Sequence, residues 1–118
     1  MKKISFVLIL LAAAFNLKAQ EVTGDWYGVL NIGDAQLHLV FHINKQADHY
    51  ATTFDSTDQG AMGLDADKTT VNSNTVNIES TRFNFKYGGV YKPDSAIIRG
   101  TFVQGGGSLP LLLTRKGK

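Results

Sequence analysis

Residues 36–44 read QLHLVFHIN, and this stretch decides the fold class. Its large apolar side chains occupy every second position, and mostly polar side chains lie between them. The apolar set is Leu37, Leu39, Phe41 and Ile43. Because successive side chains of a β-strand point to opposite faces, a period of two places one set inside and the other outside. The stretch therefore predicts a half-buried strand.

The same alternation continues on both sides of this stretch, with turn-forming residues about every ten positions. The predicted strands are 24–32, 36–44, 49–55, 61–65, 75–80, 83–91, 96–103 and 108–115. Residues 66–74 read as an irregular connection, with a further short strand at Thr70-Val71 left open as an alternative. No window after residue 20 sustains the apolar spacing of a helix.

Eight short strands joined by tight turns predict an all-β fold, a small antiparallel up-and-down β-barrel like those of lipocalins and avidins. A closed barrel leaves no strand edge free, and a partly open barrel is the structural alternative. The alternation also predicts which side chains are buried. These are Trp26, Leu39, Phe41, Ile98, Phe102 and Leu111.

The N-terminus has the pattern of an export signal. Lys2 and Lys3 precede twelve apolar residues, Ile4 to Phe15, and Ala19 ends a stretch suited to signal peptidase. Twelve apolar residues are too few for a membrane span, which needs about 20. We therefore expect a cleaved signal peptide at 1–19 and one β-barrel domain at 20–118. The mature protein is expected to be secreted or periplasmic, with no stable membrane insertion.

Charge and cysteine content exclude some partners. The chain has 12 Lys plus Arg against 10 Asp plus Glu. Lys2, Lys3 and Lys18 leave with the signal, and the 12 basic residues fall to 9 against the same 10 acidic ones. No basic surface for nucleic acid is predicted. The chain has no cysteine, so its core must be stable without disulfides.

No catalytic, metal or cofactor site is predicted. The nucleophile motif G-x-S-x-G is missing, and Ser56 with Asp55 and Asp58 reads as a turn capped by its own side chains. The two aspartates are expected in a hydrated loop. His38 and His42 share the outer face of one strand but lie roughly 13 Å apart, too far to ligate one zinc ion.

Several segments resemble the N-terminal β domain of secreted bacterial α/β-hydrolases of the serine esterase type. The most specific are the D-S-x-D-Q-G segment at 55–60 and the G-T-F-x-Q-G-G segment at 100–106. GDWYGVL, LHLVFHI, YGGVYK and LPLLLTR add to the resemblance, which covers nearly all of residues 21–115. In that family the hydrolase domain follows the last strand, and here the sequence stops at Lys118. The resemblance therefore implies a non-catalytic accessory module.

Three functions stay open as expectations: two are binding functions, and the third is an enzyme in its own right. The first is a binding domain that docks a protein, such as a separately encoded hydrolase or another envelope component. The second is a barrel that holds a small hydrophobic ligand; a truncated piece of a hydrolase precursor is a further alternative. With eight strands, the connections after the third and seventh strands share one end of the barrel. The residues predicted to bind there are Asp55, Ser56, Asp58, Gln59 and Gln104.

Overall fold

The computed structural model describes residues 22–115, so the predicted signal peptide lies outside the described residues. The described chain forms nine β-strands and one turn of 3-10 helix at Thr57–Gln59. The strands are β1 (Gly24–Ile32), β2 (Ala35–Gln46), β3 (His49–Ser56), β4 (Ala61–Asp65), β5 (Lys68–Asn72), β6 (Thr75–Ser80), β7 (Phe85–Lys92), β8 (Ile97–Gln104) and β9 (Gly107–Thr114). No helix in this part of the chain is long and apolar enough to cross a membrane.

Eight of these strands close into an antiparallel barrel, as the alternation predicts. Around the barrel they run β1-β2-β3-β5-β6-β7-β8-β9, and β9 returns to β1 through the pair Tyr27 and Thr114. Tight hairpins join most neighbouring strands, and those around Gly33-Asp34 and Gly105-Gly106 have two-residue turns. Such turns fix the register of the strands they join.

The ninth strand is the difference from the predicted layout. β4 forms at 61–65 as predicted and pairs with β3, and residues 68–72 form strand β5, which contains the short strand left open at Thr70-Val71, rather than an irregular connection. Both β4 and β5 are antiparallel to β3 and lie along the same edge of it, with Asp65 opposite Thr53 and Thr69 opposite Tyr50. They therefore act as one interrupted strand. For this reason the additional strand does not reverse the direction of those that follow.

Aromatic rings in mutual contact fill the middle of the barrel. Phe41 stacks on Tyr87 with ring centroids 5.8 Å apart, and it also contacts Phe54 and Phe85, each at 6.2 Å. Phe85 in turn stacks on Phe102 at 5.0 Å. All six side chains predicted to be buried are buried in the structure, none more than 7% exposed.

Two positions at strand ends depart from the alternation of buried and exposed side chains. Phe83 lies in the turn before β7 rather than in a strand, and its ring packs edge-on against Phe54. Ile32 shares the inward parity of Trp26, but it is 47% exposed because β1 ends there, beyond the packed interior.

Gly100 on β8 leaves room for the backbone of the neighbouring strand β7 and for the Tyr87 hydroxyl group. A Cβ at Gly100 would collide with the carbonyl oxygen of Gly88 and lie 2.7 Å from the Tyr87 hydroxyl oxygen. With that space free, the buried Tyr87 hydroxyl donates to the carbonyl oxygen of Leu111 at 2.9 Å. A buried hydroxyl that lacks such a bond is costly, so the glycine and the tyrosine belong to one packing arrangement.

Candidate functional site

The two predicted binding loops lie at one end of the barrel but on opposite sides of it. β3 and β8 run in the same direction, so Thr57–Gln59 and Gly105-Gly106 both follow strands that end at this mouth. In the order around the barrel, β3 and β8 are separated by four steps in either direction. Gln104 is therefore remote from Asp58, and it donates from Nε2 to the carbonyl oxygen of Phe83 at 2.8 Å.

The other four predicted residues build one compact loop between β3 and β4. Ser56 Oγ donates to Gln59 Oε1 at 2.6 Å, and Gly60 reverses the chain with a φ of 68°. The Asp58 carboxylate accepts from the His38 backbone N–H at 2.6 Å and contacts His38 Nδ1 at 2.8 Å. His38 lies where the β2–β3 ladder has ended, so Asp58 completes the hydrogen bonding of that strand.

Asp55 differs from the sequence expectation of a hydrated loop. It lies on β3 and is only 7% exposed, with His42 of β2 and Gly63 of β4 against its carboxylate. Its Oδ1 accepts from the Gly63 N–H at 2.7 Å, and its Oδ2 contacts His42 Nε2 at 2.8 Å. The β3–β4 register shifts between Phe54 and Ser56, and Asp55 holds the strands together at this irregularity.

His42 joins three strands on the outer face. Its Nδ1 lies 2.6 Å from Asp25 Oδ1 on β1, and its Nε2 lies 2.8 Å from Asp55 Oδ2 on β3. A carboxylate only accepts hydrogen bonds, whereas a neutral imidazole donates from one nitrogen only. Both contacts are therefore satisfied together by the imidazolium form, which carries a proton on each nitrogen.

The direction of the pKa shifts agrees with this geometry. Partial burial acts to lower the pKa of His42, but the hydrogen bonds and charges of Asp55 and Asp25 outweigh it and raise the pKa above the usual 6.5. Burial acts to raise the pKa of Asp55, but the Gly63 N–H and His42 outweigh it and lower that pKa. The Asp58 pKa is lowered mainly by the His38 backbone N–H.

These groups are arranged to hold the loop in place, and the reactive pairings of a hydrolase do not form among them. The Ser56 hydroxyl is bonded to Gln59 and buried, whereas both His42 nitrogens are occupied by carboxylates. A serine nucleophile needs a histidine nitrogen within hydrogen-bond reach. Within residues 22–115, no three His, Cys, Asp or Glu side chains converge as a metal site.

The contacts of Asp55 with His42, Asp58 with His38 and Asp25 with His42 were not predicted from the sequence. The last of these follows from a local feature of the sequence. A two-residue turn at Gly33-Asp34 places residues whose numbers sum to 67 opposite each other, so Asp25 faces His42. The Asp55–Gly63 bond had no such signal, because it depends on the shift in register after Phe54.

The start of β4, beside the loop, also presents exposed apolar surface. Met62 is 64% exposed, and it lies between Gly60 and Gly63, which both have positive φ. A flexible thioether side chain at a fixed position is a common form of contact surface.

Two clefts lie on the far side of the barrel. One, of about 360 Å³, is lined by the ends of β6, β7 and β8 and by the turns that follow β6 and β8. The other, of about 260 Å³, is lined by residues of β6, β7 and β8.

Comparison with known proteins gives no relative from which a role could be taken: no family model, no curated protein and no solved structure matches this chain.

Proposed function

We propose that this protein is an exported, non-catalytic binding domain that docks a protein partner through the loop between β3 and β4. The observation that carries the proposal is the ring cluster around Phe41, which occupies the middle of the barrel. A barrel of this size holds either side chains or one small ligand, and here side chains take the space. The outer surface and the loops are then the surfaces left for recognition.

The loop is suited to docking because its shape is fixed before a partner arrives. Asp55 holds Gly63, Ser56 holds Gln59, and Asp58 holds the edge of β2. A loop that is already ordered loses little conformational entropy on binding. Its exposed groups, Met62 with Asp58 and Gln59, combine apolar contact with polar rim interactions.

The resemblance to hydrolase-associated domains favours a secreted hydrolase, or another envelope protein, as the partner. Export is part of the proposal, and it rests on the pattern of residues 1–19. The small-ligand carrier is the weaker alternative, because a ligand would have to displace the rings that contact Phe41. Gln104 lies across the mouth from the loop, so we exclude it from the docking surface.

Photo-crosslinking in the bacterium that encodes the protein tests this function. A photoreactive amino acid at position 62 should give a discrete crosslinked product with one protein, and the mass of the exported chain should lack residues 1–19. The same group at Val90, which is 45% exposed on β7 across the barrel from the loop, serves as the matched control. Met62→Ser should reduce partner binding and leave the melting temperature nearly unchanged.

The proposal fails if crosslinking is equally diffuse at both positions. It also fails if native mass spectrometry of the exported protein finds a stoichiometric small hydrophobic molecule instead of a protein.

A further inference from the structure

Strand β4 has an edge that no strand covers within residues 22–115. It pairs with β3 on one side and ends the strand order on the other, while β5 continues the barrel to β6. Three of its five residues, Met62, Gly63 and Asp65, are exposed. Every other strand of the barrel has two neighbours. An open edge of this kind can accept a further strand.

The orientation of the backbone shows which groups face that edge. The Ala66 N–H donates to the Thr52 carbonyl oxygen at 3.0 Å, toward β3. Because successive residues of a strand turn their N–H and C=O groups to opposite edges, those of Asp65 point away from β3. Asp65 therefore offers one donor and one acceptor to an incoming backbone.

The side chains around the edge indicate which side chains the incoming strand should carry. Asp65 is exposed, and within residues 22–115 it forms no ion pair with Lys or Arg. Asp58, on the adjoining loop, is also exposed, whereas Asp55 is buried and bonded to His42. Met62 supplies exposed apolar surface, and Leu64, at the alternate position, is half-buried against the core. An extended segment with Lys or Arg at every second position and apolar residues between would match both sets.

We propose that β4 is a docking edge for an extended, alternately basic and apolar segment of a protein partner, which binds by adding a strand to the barrel. The proposal rests on the function proposed above and specifies the partner's structure at the same loop. A second copy of this chain fits less well, because antiparallel self-pairing would bring acidic β4 strands together without a compensating positive charge. The short length of β4 and the positive φ of Gly63 limit pairing to a few residues.

Titration of the secreted protein with a synthetic peptide, acetyl-Thr-Lys-Val-Lys-Val-Lys-Thr-amide, tests the edge directly. NMR should show shifts at the amides of Met62 to Asp65 and slowed hydrogen exchange at Asp65. A peptide methylated at alternate backbone nitrogens on the pairing edge should bind roughly tenfold more weakly or worse, since it cannot donate to the edge. A peptide with Glu in place of Lys should show the same loss.

Two substitutions separate charge from backbone pairing. Asp65→Asn keeps the N–H and removes the charge, so it should weaken binding severalfold and reduce its dependence on salt. Asp65→Pro removes the N–H as well and should abolish the β4 shifts, with circular dichroism confirming the barrel. Asp34→Asn, in the exposed turn between β1 and β2, is the matched control and should change nothing.

The proposal is overturned if the N-methylated peptide binds as well as its parent, if shifts fall elsewhere on the barrel, or if the protein dimerises through β4. Crosslinking at position 62 without peptide binding would leave the proposed function standing and remove this mode of docking. Peptide binding at β4 without a crosslinked protein in the cell would support β4 as a docking edge and contradict the proposed function.

Discussion

At the scale of single residues, His42 is the group whose ionisation the fold controls most directly. It lies between Asp25 and Asp55 with hydrogen-bond contacts of 2.6 and 2.8 Å, and its side chain is 31% exposed. The imidazolium form donates to both carboxylates, and the neutral form leaves one of the two oxygens that contact His42, Asp25 Oδ1 or Asp55 Oδ2, without its donor. The protonation state of one side chain therefore affects how β1, β2 and β3 are joined.

We expect stability to fall as pH rises through the pKa of His42. That pKa is higher in the folded protein than the usual 6.5, so the folded state binds more protons between the two values. Its contribution is complete below 6.5 and is lost above the folded pKa. Asp55 acts in the opposite sense at acid pH, because its lowered pKa gives a contribution that is lost as pH falls through the folded value.

Urea unfolding at about pH 5.5 and about pH 8.5, on either side of a histidine pKa near 6.5, measures the effect of His42. His42→Gln should remove most of the decline toward the higher pH. His49→Gln, at an exposed position whose ring contacts the neighbouring Asp48, is the control and should keep the decline. A wild-type free energy of unfolding that is flat across this range would contradict the interpretation of the Asp25–His42–Asp55 chain.

At the scale of elements, β4 is joined to the barrel along one edge only and depends on the side chain of Asp55. The register of β3 and β4 shifts beside Asp55, and its carboxylate accepts a hydrogen bond from the Gly63 N–H. The same carboxylate is bound by His42 on the other side. The loop and β4 should therefore behave as a local unit whose order can be reduced without unfolding the barrel.

Asp55→Ala should raise amide hydrogen exchange in residues 57–65 by roughly tenfold or more, since it removes the bond from Gly63 and a hydrogen bond to a charged group contributes about 1.5–3 kcal/mol. Exchange in β7 and β8 should change much less, because those strands are paired along their whole length. Asp34→Ala, in an exposed turn, should leave both regions unchanged. Equal acceleration throughout the barrel would mean that β4 is not a separate unit.

At the scale of the whole molecule, stability depends on one continuous core rather than on cross-links. The chain has no cysteine, and the buried residues form a single cluster drawn from seven of the eight barrel strands. Phe41 is fully buried near the middle of this cluster, in contact with Phe54, Phe85 and Tyr87. Loss of its ring should be felt by the whole barrel.

Phe41→Ala should lower the free energy of unfolding by about 3–5 kcal/mol, the usual cost of removing a core aromatic ring. Val90→Ala, on the outer face, should cost less than about 1 kcal/mol. Chemical denaturation followed by tryptophan fluorescence is a suitable measurement, because Trp26 is itself buried in the core. A Phe41→Ala protein as stable as the wild type would show that the ring cluster is not the main source of stability.

The sequence by itself determined the strands, the direction in which most side chains point and the closed barrel class. These follow from alternation and turn residues, which act over two to ten positions. The pairing of Asp25 with His42 was not predicted, although it depends only on the local two-residue turn at Gly33-Asp34. The places of Phe41 and Ile98 in the alternation were enough to predict that both are buried.

Only the tertiary structure decided the features that depend on how distant strands meet. These include the division of one barrel position between β4 and β5, the bond from Asp55 to Gly63, and the separation of Gln104 from Asp58 across the mouth. Local alternation assigns a residue to a face, but it carries no information about where a strand is interrupted or which strands lie opposite. Closure of the barrel sets both, since each strand must satisfy two neighbours at once.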